Sequence, residues 1–146
     1  MIFYYHCYRG AHLSIVAAAL HLNKLNSHPG ISDILGLEYF DKLQPQDMGV
    51  PVLAGYDTNG CPVYFLGLGP GSRIFTQFAD SCTEKLGIGL NYKSIDCLQC
   101  LTLMVRLGGF ISRYKRFKGI GRYLAAWGVQ RNLPRLQSLV LHARDS

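Results

Sequence analysis

The chain of 146 residues has few charged side chains, 16% of the total, and lacks an apolar run long enough to cross a bilayer. A transmembrane helix needs about 20 consecutive apolar residues, and the longest candidate, Leu98–Ser112, is interrupted by Arg106. Apolar residues make up 49% of the chain, which excludes a disordered protein because such chains are poor in apolar residues. The length predicts one domain, residues 1–146, rather than two independent cores.

Several short functional signatures are also missing. The chain has no G-x4-G-K-[ST] motif, so it carries no Walker A signature of an ATPase or kinase. Its first residues have neither a basic segment nor an apolar segment of the kind that directs secretion, and its cysteine count of five is odd. We therefore expect a reduced, cytoplasmic protein. Cys97 and Cys100 have C-x2-C spacing but no second ligand pair, so we predict no metal site, and the sequence indicates no particular cofactor.

Acidic residues are almost absent from the last part of the chain. Residues 1–105 carry six basic and eight acidic groups, a net charge of −2, whereas residues 106–146 carry nine basic groups and one acidic group, a net charge of +8. The nine basic residues are Arg106, Arg113, Lys115, Arg116, Lys118, Arg122, Arg131, Arg135 and Arg144. This asymmetry indicates an anionic partner for the C-terminal third.

Hydrophobic patterning predicts strands that alternate with helices. The predicted strands are Ile2–Tyr5, Val50–Gly55, Pro62–Leu66, Ser94–Cys97 and Tyr123–Trp127. The predicted helices are Ile15–Leu25, Ile31–Phe40, Arg73–Leu86, Leu101–Tyr114 and Asn132–Ala143. Asn59-Gly60 indicates a β-hairpin between the second and third strands. The fold expected is an α/β layered sandwich with a mostly parallel sheet, a strand–loop–helix start and one hairpin.

The loop Cys7–Ser14, called the first loop below, is the best candidate for a site. It joins a predicted strand to a predicted helix that Ser14 would cap, and backbone N–H groups and the helix dipole attract anions at such a position. We expect the backbone amides of Gly10, Ala11, His12, Leu13 and Ser14 to surround an anion, and Arg9 and His12 to add charge or hydrogen bonds. Cys7 is a candidate nucleophile and His12 a candidate phosphate carrier or general acid. The alternative is a purely structural turn.

The spacing of Cys7, Gly10 and Ser14 resembles the phosphocysteine loop of sugar-phosphotransferase IIB domains. It is also similar to the C-x5-R-S loop of low-molecular-weight tyrosine phosphatases. Leu13 stands where those phosphatases have their phosphate-binding arginine, so their chemistry is not expected here.

Three longer stretches resemble one known family. They are YYHCYRGAHLSIVAAALHLNKL, LEYFDKLQPQDMGVPVLAGYDTNGCPVYFLG and LMVRLGGFISRYKRFKGIGRYLAAWGVQRNLPRL. Together they are similar to the domain-of-unknown-function family number 3189, a bacterial family common in spore-forming Gram-positive bacteria. The family pattern C-Y-G-G-T-H-S-S differs here at Arg9, Ala11 and Leu13. The resemblance covers most of the chain and implies one whole domain, but it implies no activity.

Two functions remain open on these observations. The first is binding of a phosphate-bearing small molecule or a nucleotide between the first loop and the cations Arg113 and Arg122, with phosphoryl transfer as an extension. The second is a non-enzymatic nucleic-acid-binding or regulatory protein that uses the basic C-terminal third. The run from Arg113 to Lys118 alternates cations with aromatic rings, which suits phosphate contacts and base stacking. The same run is also typical of a solvated loop.

Overall fold

The computed structural model describes residues 1–87, residue 89 and residues 91–145. Its strands are β1 (Ile2–Cys7), β2 (Val52–Tyr56), β3 (Pro62–Gly67) and β4 (Tyr92–Asp96). Its α-helices are α1 (Leu13–His21), α2 (Ile31–Leu35), α3 (Ser72–Leu86), α4 (Leu103–Ile111), α5 (Lys118–Arg131) and α6 (Leu133–Asp145). Of the helices in these residues, none is both long enough and apolar enough to cross a membrane.

The four strands form one open sheet in the order β2-β3-β1-β4. Strand β1 pairs in parallel with β3 on one side and with β4 on the other, while β2 pairs antiparallel with β3. The prediction of an α/β fold with a mostly parallel sheet and one hairpin is therefore confirmed. The finer prediction of a layered sandwich stays a prediction.

The hairpin between β2 and β3 is closed by its own turn residues. The Asp57 carboxylate accepts hydrogen bonds from the backbone N–H groups of Asn59 and Cys61, both at 2.8 Å. Gly60 has φ +75°, a left-handed conformation that glycine adopts without strain. The Asn-Gly signal in the sequence thus identified the turn correctly.

Helix α1 is buried along almost its whole length and packs against the sheet and α6. It begins at Leu13 and ends at His21, so it starts two residues earlier and ends four residues earlier than predicted. Asn23 has φ +53° and terminates the helical path. The prediction that Ser14 caps this helix was wrong, because His12 occupies the N-cap position and the Ser14 side chain is turned into the core.

The predicted strand Tyr123–Trp127 was also wrong, because these residues lie in the middle of helix α5. Helix α5 contains three glycines, Gly119, Gly121 and Gly128, which lower its helix propensity and concealed the helical pattern. Close packing against α4 compensates for them. A Cβ atom at Gly121 would overlap the backbone of Ser112, and one at Gly108 would lie 2.7 Å from the Gly121 carbonyl oxygen. Tertiary packing therefore determines the structure of this segment.

A buried polar chain joins β1, α1 and the hairpin. The Tyr5 hydroxyl donates to His21 Nδ1 at 2.7 Å, and His21 Nε2–H faces the Asp57 carboxylate at 3.4 Å. Burial lowers the pKa of His21, although its hydrogen bond to Asp57 opposes the shift. Burial also lowers the pKa of His6, with Asp96 opposing. Burial thus favours the neutral form of both histidines in the folded protein.

We expect acid to destabilise the fold in a pH range set by these two histidines. Their folded pKa values lie below the unfolded value of about 6.5, so the unfolded chain takes up the extra protons. The free energy of unfolding is then complete above pH ~6.5 and falls as the pH drops below it, by up to about 1.4 kcal/mol per pH unit for each proton taken up. Urea unfolding at pH 7.5 and pH 5.5 measures this loss.

Two histidine variants test whether the loss of stability at low pH comes from the buried histidines. His21→Gln should reduce the pH dependence, and His28→Gln, at an exposed position, should leave it unchanged. Equal stability of the wild-type protein at both pH values would contradict the expectation.

Candidate functional site

The first loop crosses over the carboxyl end of β3, where it is held by backbone contacts. The N–H groups of Leu68 and Gly69 donate to the carbonyl oxygens of Cys7 and Tyr8, at 3.0 and 2.8 Å. Gly10 has φ +72°, and a Cβ atom there would lie 2.7 Å from the Leu66 carbonyl carbon. Only glycine fits both this conformation and this close approach. The loop is therefore fixed at the edge of the sheet where ligands of open parallel sheets commonly bind.

Cys7 and Ser14 face each other across the turn from β1 to α1. Their Sγ and Oγ atoms are 3.2 Å apart, and both side chains are buried. The turn thus positions a thiol at the end of a strand beside the first turn of a helix.

His12 is held by a carboxylate from another part of the chain. Its Nε2–H donates to Asp41 Oδ1 at 2.9 Å, and the Ser112 hydroxyl donates to the same oxygen at 3.0 Å. Asp41 has φ +56°, an uncommon conformation for a residue other than glycine, and its N–H donates to the Ala11 carbonyl oxygen at 2.8 Å. With Nε2 occupied, His12 has Nδ1 as its remaining ring nitrogen, and this edge of the ring packs on Gly109.

A pocket of about 750 Å3 lies between the first loop and α4. The wall formed by the first loop and the strand before it consists of Cys7, Tyr8, Arg9, His12 and Leu13. The opposite wall is formed by α4, the segment before it and the turn after it: Leu98, Leu101, Leu103, Val105, Arg106, Leu107, Gly109, Phe110 and Arg113. We call this cavity the loop–α4 pocket. Its walls combine three guanidinium groups with many apolar side chains.

Arg9 and Arg113 both line this pocket. The Arg9 guanidinium donates a long hydrogen bond of 3.5 Å to the Gly109 carbonyl oxygen. Burial lowers the pKa of Arg9, and the positive charge of Arg113 lowers it further, while Asp41 opposes the shift. Residues 1–105, which have a net negative charge, and residues 106–146, which have a net positive charge, thus both contribute cations to one cavity.

The structure brings five of the predicted site residues into the wall of the loop–α4 pocket: Cys7, Arg9, His12, Leu13 and Arg113. Gly10, Ala11, Ser14 and Arg122 do not line it. Within the first loop, Gly10 and Ala11 are buried, and the Ser14 side chain contacts Cys7. Arg122 lies on α5, where its Nε is buried and has no hydrogen-bond partner among the described residues.

Sequence reasoning missed part of the α4 wall. Arg106 and Arg113 are seven residues apart, and Leu103, Leu107 and Phe110 follow at intervals of four and three. This spacing places the three apolar side chains and Arg106 on one face of α4, and Arg113 follows just beyond the end of the helix, so the pattern itself contained the signal. Asp41, by contrast, lies 29 positions after His12, and no local pattern predicts that pairing.

The C-x2-C pair is part of the protein interior. Cys97 and Cys100 occupy a short 3-10 turn, where both are buried and free, and burial raises the pKa of each thiol. Across residues 1–87, 89 and 91–145, no group of three His, Cys, Asp or Glu side chains is arranged to bind a metal ion.

Comparison with known proteins identifies a family for this chain. No curated protein and no solved structure matches it. The family model described as "Protein of unknown function (DUF3189)" matches residues 2–145, nearly the whole chain. The resemblance seen in the sequence is thereby confirmed, and the chain belongs to the DUF3189 family.

Proposed function

We propose that the protein binds a phosphate-bearing small molecule or a nucleotide in the loop–α4 pocket. The observation that carries this proposal is the convergence of Arg9, from the first loop, with Arg113, from the basic C-terminal third, in one cavity. Arg106 adds a third guanidinium to the same walls. Guanidinium groups bind phosphate oxygens through paired, charge-assisted hydrogen bonds.

Electrostatics favours an anion at this position. Two like charges that are close together in a partly buried site repel each other, and the lowered pKa of Arg9 reflects both burial and this repulsion. A bound phosphate would offset the repulsion and replace lost hydration. The backbone also supports it at Arg9, which lines the pocket and whose N–H group donates no hydrogen bond to a backbone carbonyl of the described residues. The start of α1 adds a favourable dipole.

Phosphoryl transfer is an extension of this proposal that rests on two other residues of the pocket wall. Cys7 supplies the thiol that would attack phosphorus, so that an S–P bond forms while the P–O bond to the organic group breaks and the thiol proton goes to the departing oxygen, which leaves as an alcohol. Ser14 is within hydrogen-bonding distance of the Cys7 thiol. His12, oriented by Asp41, supplies an imidazole in the same cavity. All five cysteines of the chain are free thiols, which suits the reduced, cytoplasmic location that we propose.

Titration with inorganic phosphate, followed by NMR, tests the binding proposal. We expect saturable shifts of the backbone amides from Arg9 to Leu13 and of the Arg113 side chain, at millimolar phosphate or below. Potassium chloride at matched ionic strength serves as the control, because it screens charge without filling the pocket. Shifts confined to residues outside the pocket, or no shifts at all, would contradict the proposal.

Nucleic-acid binding is the second candidate function, and one observation favours it. The turn and helix start after α4 expose four cations together with two aromatic rings on one continuous segment. These residues are Arg113, Tyr114, Lys115, Arg116, Phe117 and Lys118. Exposed cations contact phosphates, and exposed rings stack on unpaired bases.

This second proposal predicts a steep dependence of binding on salt. Affinity for a single-stranded oligonucleotide should fall as log[salt] rises, with a slope of about −0.7 for each phosphate contacted. Substituting Lys115, Arg116 and Lys118 by glutamine should flatten the slope, whereas Arg135→Gln on α6 is the matched control. Fluorescence anisotropy at 50 and 200 mM salt measures both. Identical slopes for the triple variant and the wild type would argue against the proposal.

A further inference from the structure

The apolar part of the loop–α4 pocket is unusual because its side chains remain open to water. Leu103, Leu107 and Phe110 are 72%, 42% and 53% exposed, although they line a concave wall. Leu101, just before α4, is 39% exposed and lines the same wall. Contiguous exposed apolar surface next to a pocket indicates a binding site for an apolar group, because covering that surface is favourable.

The pocket has a cationic end and an apolar end. The Arg9 guanidinium reaches the carbonyl of Gly109, near the C-terminal end of α4, and Arg113 follows just beyond that end. Leu103 is the first residue of α4, six positions before Gly109, which corresponds to about 9 Å along the helix axis. A ligand that fills the pocket along α4 therefore meets positive charge at one end and leucine side chains at the other.

Arg106 lies between these ends on α4 and also lines the pocket. A long arginine side chain covers apolar surface with its methylene groups while its guanidinium reaches water or an anion. Arg106 is three residues from Leu103 and three from Gly109, so it lies on the same face of α4 as both ends of the pocket.

We infer that the ligand of this pocket is a phosphate monoester whose organic group is apolar, such as an alkyl or isoprenoid phosphate. This inference rests on the proposed function, since it takes the phosphate to bind at Arg9 and Arg113 and adds the nature of the group attached to it. The apolar chain lies along Leu107 and Phe110 and ends near Leu103. A sugar in the same place would bury hydroxyl groups against leucines that offer them no hydrogen bonds.

Calorimetric titration with a series of phosphates tests the inference. The probes are methyl, butyl and octyl phosphate, with glucose 6-phosphate and AMP as polar and planar competitors, all below the concentrations at which octyl phosphate aggregates. We expect affinity to rise about two- to fourfold per methylene buried, so octyl phosphate binds at least about tenfold more tightly than methyl phosphate even when only about half of its added methylene groups are buried. Glucose 6-phosphate should bind no better than methyl phosphate.

Two exposed leucines provide a matched pair of variants. Leu103→Ser should weaken octyl phosphate binding about two- to fourfold for each methylene group at the end of the chain that loses its apolar contact, and should leave methyl phosphate binding unchanged. Leu141→Ser, on α6 and 56% exposed, should change neither. Equal affinities for methyl and octyl phosphate, or tighter binding of AMP than of octyl phosphate, would overturn the inference and leave the proposed function standing. Absence of binding for every phosphate would overturn both.

Discussion

Replacing Gly121 by alanine is expected to cost about 3 kcal/mol or more of folding free energy. The new Cβ atom would overlap the backbone of Ser112, at the end of α4, and would lie 2.7 Å from the Gly108 carbonyl oxygen. Backbone cannot move away as a flexible side chain can, so α4 and α5 must separate. Because typical domains are stable by only 5–15 kcal/mol, a large fraction of the stability would be lost, which urea unfolding would measure.

Gly119, two residues earlier on α5, is the matched control. A Cβ atom there meets nothing within 4 Å, so Gly119→Ala should be neutral or should stabilise the protein by up to about 1 kcal/mol. Equal stabilities for the two alanine variants would show that α4 and α5 are not packed as closely as described.

Replacing Arg113 by glutamine is expected to weaken phosphate binding about tenfold without destabilising the unliganded protein. A charge-assisted hydrogen bond to phosphate contributes about 1.5–3 kcal/mol, and the exposure of Arg113 places the loss near the lower limit. In the unliganded state, the substitution removes a positive charge that lowers the pKa of Arg9, so stability should stay equal or rise. Calorimetric titration with phosphate and urea unfolding measure the two quantities.

Arg116→Gln is the control for this prediction, since it removes the same charge from a nearby exposed position that does not line the pocket. Its phosphate affinity should remain within about twofold of the wild type, because only screened, long-range attraction is lost. Equal weakening by both substitutions would mean that general positive charge, and not the pocket, binds phosphate.

Much of the sheet could be predicted from the sequence because its signals are local. The apolar run at Ile2–Tyr5 and the Asn59-Gly60 turn each lie within a few residues, and both correspond to the observed elements. Helix α5 could not be predicted in the same way. Its three glycines lower its helix propensity, and the close α4 contact that compensates for them joins Gly121 to Ser112 through space.

In the candidate site, too, the features that depend on local sequence could be predicted, and those that depend on distant packing could not. The first loop was identified from its strand–loop–helix context, and Cys7, Arg9 and His12 do share one cavity. The partner of His12, Asp41, and the apolar wall opposite the loop depend on how distant segments pack. Ser14 is the clearest example. Its residue type favours the N-cap position, but in the structure His12 is the N-cap and the Ser14 side chain contacts Cys7.

We propose above that the first loop and the basic C-terminal third bind one anion between them. A crystal structure of the protein grown with tungstate, a phosphate analogue located by its anomalous scattering, tests this most directly. We expect a tungstate ion within hydrogen-bonding distance of both the Arg9 and the Arg113 guanidinium groups. Tungstate bound only at the exposed cations from Lys115 to Lys118, with the loop–α4 pocket free of it, would contradict the account.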